Sequence, residues 1–297
     1  MVDDYKELIG KHLGRTSDGK TMKRYEQPDA HDASLLVAIP RNINRIKYNI
    51  VTEPVGYEVW HAYEFSFLWP NNQPSTGILK LAYESDSPNM VESKSLKLYL
   101  NSFDNEKSIN VEEVTSIIRN DLEKTIGSNV YVKLHFDKYF GFKEPFKIPF
   151  VDVDYEYIPV TSLEEDAKIL FSDIQAEGKP IAVHTANLRS HCEITNQKDT
   201  GNSYIFYEGK NVPSEKALYR YIISLRNSQH FHENITEIIY DVLWKNFELK
   251  SLLVANFYAR RGGIDIHSVR ADTHETLNRC MENYHDVDSL FWKTFQQ

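Results

Sequence analysis

The chain has 297 residues, enough for one large domain or two of ordinary size, and its 41% hydrophobic and 26% charged residues are ordinary globular values. A net charge of −9 without a basic tract excludes a general nucleic-acid binder, which needs clustered Lys and Arg to displace counterions. The acidic start Met1-Val-Asp-Asp-Tyr-Lys-Glu lacks the apolar core of a signal peptide and no apolar run approaches membrane-spanning length, so a soluble, cytoplasmic protein without a membrane partner is expected.

Residues 1–56 hold a short helix around Tyr5–Leu13, then polar and Pro-containing segments, and are read as an N-terminal cover and not a domain. Tyr57, Val59, Tyr63, Phe65, Phe67 and Trp69 alternate as a strand with one packed aromatic face. The turn residues 71–77 and a second strand, Ile78–Glu84, make the pair a hairpin. After the loop Ser85–Asn89, the spacing of Leu96, Tyr99, Leu100 and Phe103 predicts a helix with one buried face, and Glu92, Ser93 and Lys94 fall in its first turn. Free backbone N–H groups there suit a polar ligand, but a surface helix start has the same appearance.

Asn110 with Glu113 reads as a capping box for a helix carrying Val111, Val114, Ile117, Ile118, Leu122 and Ile126 and ending at Gly127. Val130, Val132, Leu134 and Phe136 alternate as the next strand. A first module over 57–137 is followed by a connection, 138–178, with a short helix near Ser162–Gln175. The second module, 179–297, starts with strands at Ile181–Ala186 and Ser203–Glu208. Pro213 and Ser214 open a helix with Leu218, Tyr221, Ile222 and Leu225, and a further helix carries Ile235, Ile238, Ile239, Val242 and Leu243. Leu253, Ala255, Phe257 and Ala259 alternate as a strand. The order of elements repeats without a residue repeat, and antiparallel strands with two helices on one face, used twice, give an α+β protein.

Two cysteines, Cys192 and Cys280, are too few for a disulfide framework and lack the paired spacing of a structural zinc site, so no metal is assigned. Cys192 lies in the polar stretch Arg189-Ser-His-Cys-Glu-Ile-Thr-Asn-Gln-Lys-Asp199, where a space-filling cysteine is out of place, whereas helical packing is the default for Cys280. Asp199 reads equally as an acid near the thiol or as a turn residue before Thr200-Gly201. His232 and Glu233 begin a helix, either as capping groups or as ligands for a polar ring. Arg260-Arg261 before Gly262-Gly263 is a solvated surface or a phosphate grip, and no Gly-x-Gly-x-x-Gly follows a strand.

The string Glu92-Ser-Lys-Ser-Leu-Lys-Leu-Tyr99 resembles the signature of the nitrile reductases of queuosine biosynthesis. The resemblance continues in Ser34-Leu-Leu-Val-Ala-Ile-Pro-Arg41, Leu188–Asp199, Phe231-His-Glu233 and Arg260-Arg-Gly-Gly-Ile-Asp265, so it spans nearly the whole chain in the order of the long, two-module branch. It implies tandem tunnelling-fold (T-fold) modules with helices on the outer face of sheets that join into barrels, and a homodimer. It also implies NADPH-dependent reduction of 7-cyano-7-deazaguanine to 7-aminomethyl-7-deazaguanine through a cysteine thioimide, with the free deazapurine base, not tRNA, as substrate.

By that resemblance Cys192 is the nucleophile and Asp199 the proton donor, Val91, Glu92, Ser93, His232 and Glu233 bind the deazaguanine, and Ser93, Lys94, Arg261 and Gly262 bind NADPH. Thr200 stands where the family has Trp, and His267-Ser268 where it has Asn-Pro near the cofactor loop. Two other readings keep the same residues: a zinc-dependent T-fold cyclohydrolase, which the lack of a second site-associated Cys weakens, and a purine-binding module without catalysis.

Overall fold

The computed structural model describes residues 30–72, 74–108, 110–136, 143–156, 158–160, 162–176, 180–192 and 198–292. The helix expected around Tyr5–Leu13 lies outside them. In chain order the first half comprises β1 (Ala38–Pro40), α1 (Arg41–Lys47), β2 (Val55–Leu68), β3 (Pro74–Glu84), β4 (Asn89–Val91), α2 (Ser93–Asn101), α3 (Val111–Ile126) and β5 (Tyr131–His135). Two-residue strands β6 (Val151–Asp152) and β7 (Ile174–Gln175) mark the connection. The second half comprises β8 (Ile181–His191), β9 (Lys198–Lys210), β10 (Val212–Pro213), α4 (Glu215–Ser224), α5 (His232–Asn246), β11 (Glu248–Tyr258), β12 (Ile264–Ala271) and α6 (His274–Cys280).

Eight strands form one sheet in the order β5-β3-β2-β12-β11-β9-β8-β6, antiparallel except for the β6–β8 edge pair. Strand β12 was not foreseen, and it joins the halves by pairing with β2 from Ile264↔Ala62 to Ala271↔Val55. Its eight residues are all buried, and the apolar–polar alternation of Ile264-Asp265-Ile266-His267 reverses phase at Ser268, so no single apolar face runs along it. The chain is thus α+β, with α2 and α3 packed on one end of the sheet and α4 and α5 on the other, each pair over its own hydrophobic core.

Local signals hold where they depend on neighbours in sequence. Asn110 accepts from Glu113 N at 2.7 Å and Gly127 closes α3 at φ 78°, whereas the Glu113 carboxylate accepts from Ser108 Oγ. Ser214 caps α4 through Ala217 N. The aromatic face expected of β2 is split, because a bulge between Ala62 and Phe65 switches the side-chain alternation. Phe65 and Phe67 therefore pack with Trp60 under the helices, and Tyr57 and Val59 pack on the opposite face.

Ser75, Thr76 and Gly77, expected in the turn, pair in β3 with Phe67, Ser66 and Phe65. Phe136 is exposed beyond the end of β5. The helix expected near Ser162–Gln175 is only a 3-10 turn, Ala167–Phe171, capped by Asp166. Strands β8 and β9 run to His191 and from Lys198, longer than their hydrophobic runs, because the polar tips pair with each other as Ser190↔Asp199 and His191↔Lys198.

The face opposite the helices is covered by α6 and residues 281–291, with Met281, Tyr284 and Phe291 buried against Val59, Phe257 and Val269. Lys80 is buried there, and its ammonium donates to the carbonyls of Tyr284, Asp286 and Ser289 at 2.7–2.9 Å. Among the described residues no helix is long and apolar enough to cross a membrane.

Candidate active site

A cleft on the helix-bearing face is lined from the first half by Met90, Val91, Glu92 and Ser93, and from the second by Cys192, Asp199, His230 to Glu233 and Arg261. Backbone pairing builds it. His191 N donates to Ser228 O at 2.9 Å and His230 N donates to His191 O at 3.1 Å, which seats the start of α5 beside Cys192. Asp199 lies on the other arm of the β8–β9 hairpin, opposite Ser190. Asp199 is thus a strand residue, and the turn reading falls.

Arg261 and Ile264 exchange two backbone hydrogen bonds around Gly262 (φ 54°) and Gly263 (φ 81°). A two-residue hairpin turn with both central residues left-handed favours glycine, which has no Cβ to clash. This turn carries Arg261 into the cleft. Gly262 itself does not line it and lies against Lys97 of α2, so of the residues assigned to the cofactor Ser93 and Arg261 are brought together, with Lys94 exposed next to Ser93 and Gly262 on the outer side of the turn.

Asp199 is the electrostatic centre of the cleft. Its Oδ1 lies 2.9 Å from His232 Nε2 and 3.0 Å from Arg261 Nε, while only 4% of its side chain is exposed. The His232 ring stacks on Tyr258 at a centroid distance of 3.9 Å and an interplanar angle of 21°. Tyr258 is fully buried, its hydroxyl has no hydrogen-bond partner among the described residues, and burial followed by the charges of Asp199 and Glu233 holds the phenol far above its ordinary range. One imidazole is therefore clamped by an aromatic face and a carboxylate that a guanidinium also orients.

Next to it Glu233 is buried in the first turn of α5. Burial pushes its carboxyl up to about 7, the nearby charge of Glu58 adds to the shift and His232 opposes it. Glu58 belongs to a buried network in which Arg270 Nη2 lies 2.6 Å from Glu58 and 3.2 Å from Glu237, and Arg41 Nη1 lies 3.1 Å from Glu58. These arginines hold the Glu58 carboxylate low despite its burial, so Glu233 sits beside a fixed negative charge.

Glu92 is the N-cap of α2, its carboxylate accepting from Lys94 N at 2.9 Å and Ser95 N at 2.7 Å. Glu92 thus precedes the first turn in which it was expected, and the capping role does not exhaust the group. Each carboxylate oxygen has a second lone pair, and Glu92 also lines the cleft.

The departures noted in the sequence resolve differently. Thr200 is a β9 residue paired with Arg189, its carbonyl accepting from Ala259 N. His267 and Ser268 are buried inside β12 on opposite faces, not in a loop, with Ser268 Oγ donating to Glu58. Cys280 is buried at the end of α6, away from the cleft, and burial pushes its thiol up to about 11. Sequence reasoning missed Tyr258 and the Arg41–Glu58–Arg270–Glu237 network, since these contacts join different elements, from Arg41–Glu58 to Glu58–Arg270 at 212 positions apart, and no helix or strand spacing relates them.

A thiol, a carboxylate–imidazole pair and a second buried carboxylate around one cleft can carry nucleophilic addition, proton transfer and recognition of a polar ring. Two family models match the chain. One, described as nitrile reductase, 7-cyano-7-deazaguanine-reductase N-term, matches residues 27–134, and the other, a QueF-like protein, matches residues 199–277. Together they cover more than half of the chain. Val91 to Lys94 fall in the first match and Asp199, His232, Glu233, Arg261 and Gly262 in the second, with Cys192 between the two.

Proposed function

We propose, for a chain that belongs to the 7-cyano-7-deazaguanine nitrile reductase family, that it converts the nitrile of that base to the primary amine through a Cys192 thioimide, with NADPH as reductant. The observation that carries this reading is the placement of Cys192, the Asp199–His232 pair and Glu233 around one cleft.

The nitrile carbon is electrophilic, so the Cys192 thiolate adds to it and forms a C–S bond as one C–N π bond breaks. The nitrogen takes a proton, and the Asp199–His232 pair, joined at 2.9 Å, holds one at Nε2 or Oδ1 for that purpose. Arg261 keeps the carboxylate aimed at the imidazole. Glu233 accepts hydrogen bonds from the ring N1–H and exocyclic amine of the base, with Glu92 as a second acceptor from the other half.

The rim fits an anionic dinucleotide. Lys94 is exposed at the start of α2 and 38% of the Arg261 side chain is accessible, so Ser93, Lys94 and Arg261 would hold its phosphates. When bound, the cofactor supplies hydride, two equivalents being needed from nitrile to amine. Gly262 contributes through the turn that presents Arg261.

The test is to mix purified protein with 7-cyano-7-deazaguanine in the absence of NADPH, and record intact mass and thioimide absorbance for wild type and Cys192→Ala. An adduct of the mass of the whole base in wild type alone is expected. Base bound without an adduct in either protein overturns the covalent step.

A further inference from the structure

On the face of the sheet opposite the cleft, three potential metal ligands converge outside the site described above. His61 Nδ1 lies 2.8 Å and His267 Nε2 3.2 Å from the same oxygen, Oδ1 of Asp265, and the three donor atoms all lie within 4.8 Å of one another. All three side chains are buried, at 0–1% exposure. Strand alternation sets the orientation. Ile266 lines the cleft, so Asp265 and His267 on either side of it project to the other face, and the β12–β2 register puts Asp265 opposite His61.

We propose that His61, Asp265 and His267 form a divalent-cation site that pins β2 to β12, the strand pair that joins the two halves of the sheet. Two imidazole nitrogens and one carboxylate oxygen are a common donor set for zinc, whose ligand bonds of about 2.0–2.2 Å put neighbouring donors of a tetrahedron about 3.3 Å apart. The two His–Asp distances, 2.8 and 3.2 Å, need little adjustment to reach that spacing, and the two imidazole nitrogens, within 4.8 Å of each other, would close onto the ion. Tyr63 Oη donates to the other oxygen, Oδ2, at 2.6 Å and fixes the carboxylate plane as an outer hydrogen bond does around bound metals. Three protein donors leave the fourth tetrahedral position to one bound water, and the aromatic shell, with Phe257 4.7 Å and Tyr284 5.7 Å from the His267 ring, screens the ion from bulk solvent, so its role is structural. Lys80, which also faces this side, is engaged by three backbone carbonyls. The site is independent of the reductase reading, because none of its residues lines the cleft.

The test uses the full chain. After dialysis against a chelator, one equivalent of zinc is added, the protein is desalted and metal is counted by mass spectrometry; cobalt(II) loading is followed by its visible d–d bands. One zinc per chain and tetrahedral cobalt bands are expected in wild type and in Cys192→Ala. His61→Gln and His267→Asn, which keep side chains able to hydrogen-bond, are expected to lose stoichiometric retention and to weaken zinc affinity at least tenfold. Wild type that retains no zinc and gives no cobalt bands overturns the proposal and leaves a hydrogen-bonded triad, a result that needs no variant to fold. Retention abolished by Cys192→Ala but kept by both histidine variants also overturns it.

Discussion

Asp199 and His232 come from a strand and a helix 33 residues apart, yet Oδ1 of the one lies 2.9 Å from Nε2 of the other, beside Cys192. The same oxygen lies 3.0 Å from Arg261, and Tyr258 stacks on the imidazole from behind. Neither ring nor carboxylate can turn away without breaking a buried contact. On the proposed reading, such a pair delivers a proton at a defined point in the cleft.

Asp199→Asn keeps the shape and removes the charge that orders His232 and Arg261. The expected outcome is a fall in turnover of about 10²–10⁴-fold with substrate affinity changed only a few-fold, the range for loss of a general acid. Steady-state kinetics check it. A variant that loses affinity and keeps turnover assigns Asp199 to binding instead.

Tyr258→Phe retains the stacked ring and deletes a buried hydroxyl that has no partner among the described residues. Stability is expected to stay within about 1 kcal/mol of wild type or to rise, because no hydrogen bond is lost. Tyr258→Ala leaves a cavity and is expected to cost about 3–5 kcal/mol. Urea denaturation of both variants separates the two effects.

Glu233 is raised to about 7 by burial and by Glu58, so the folded state takes up its proton more readily than the unfolded chain. The associated stability is fully present below the unfolded carboxyl range near pH 4 and is lost as pH rises through about 7. Glu233→Gln is therefore expected to be more stable than wild type at pH 8 by on the order of 1–3 kcal/mol, with the difference shrinking toward pH 5. On the proposed reading it also binds the base more weakly, and wild-type KM rises as pH falls below about 7. Melting temperatures and KM across pH 5–8 give both readouts.

Arg270 is fully buried between Glu58 and Glu237. Arg270→Met leaves two buried carboxylates short of their partner, and a loss of about 3–5 kcal/mol is expected. Chemical denaturation at pH 7 measures it. A change below about 1 kcal/mol means that Arg41 and Arg45, at 3.1 Å and 2.8 Å from Glu58 and Glu237, suffice without it.

The sequence by itself determined the α+β class, both ends of α3 and the start of α4, and, through the motifs that carry the family resemblance, which cysteine and acids line the cleft. These rest on periodicity, on caps such as Asn110 and Ser214, and on motifs, all of which are local. Only the tertiary structure decided that β12 closes onto β2, that the bulge after Ala62 splits the aromatic face, and that Tyr258 and Arg261 hold His232 and Asp199. It also decided that His61 and His267, 206 positions apart, share the oxygen of Asp265. Strand pairing over such separations depends on which buried faces and backbone hydrogen bonds can be satisfied together, and no window of neighbouring residues carries that information.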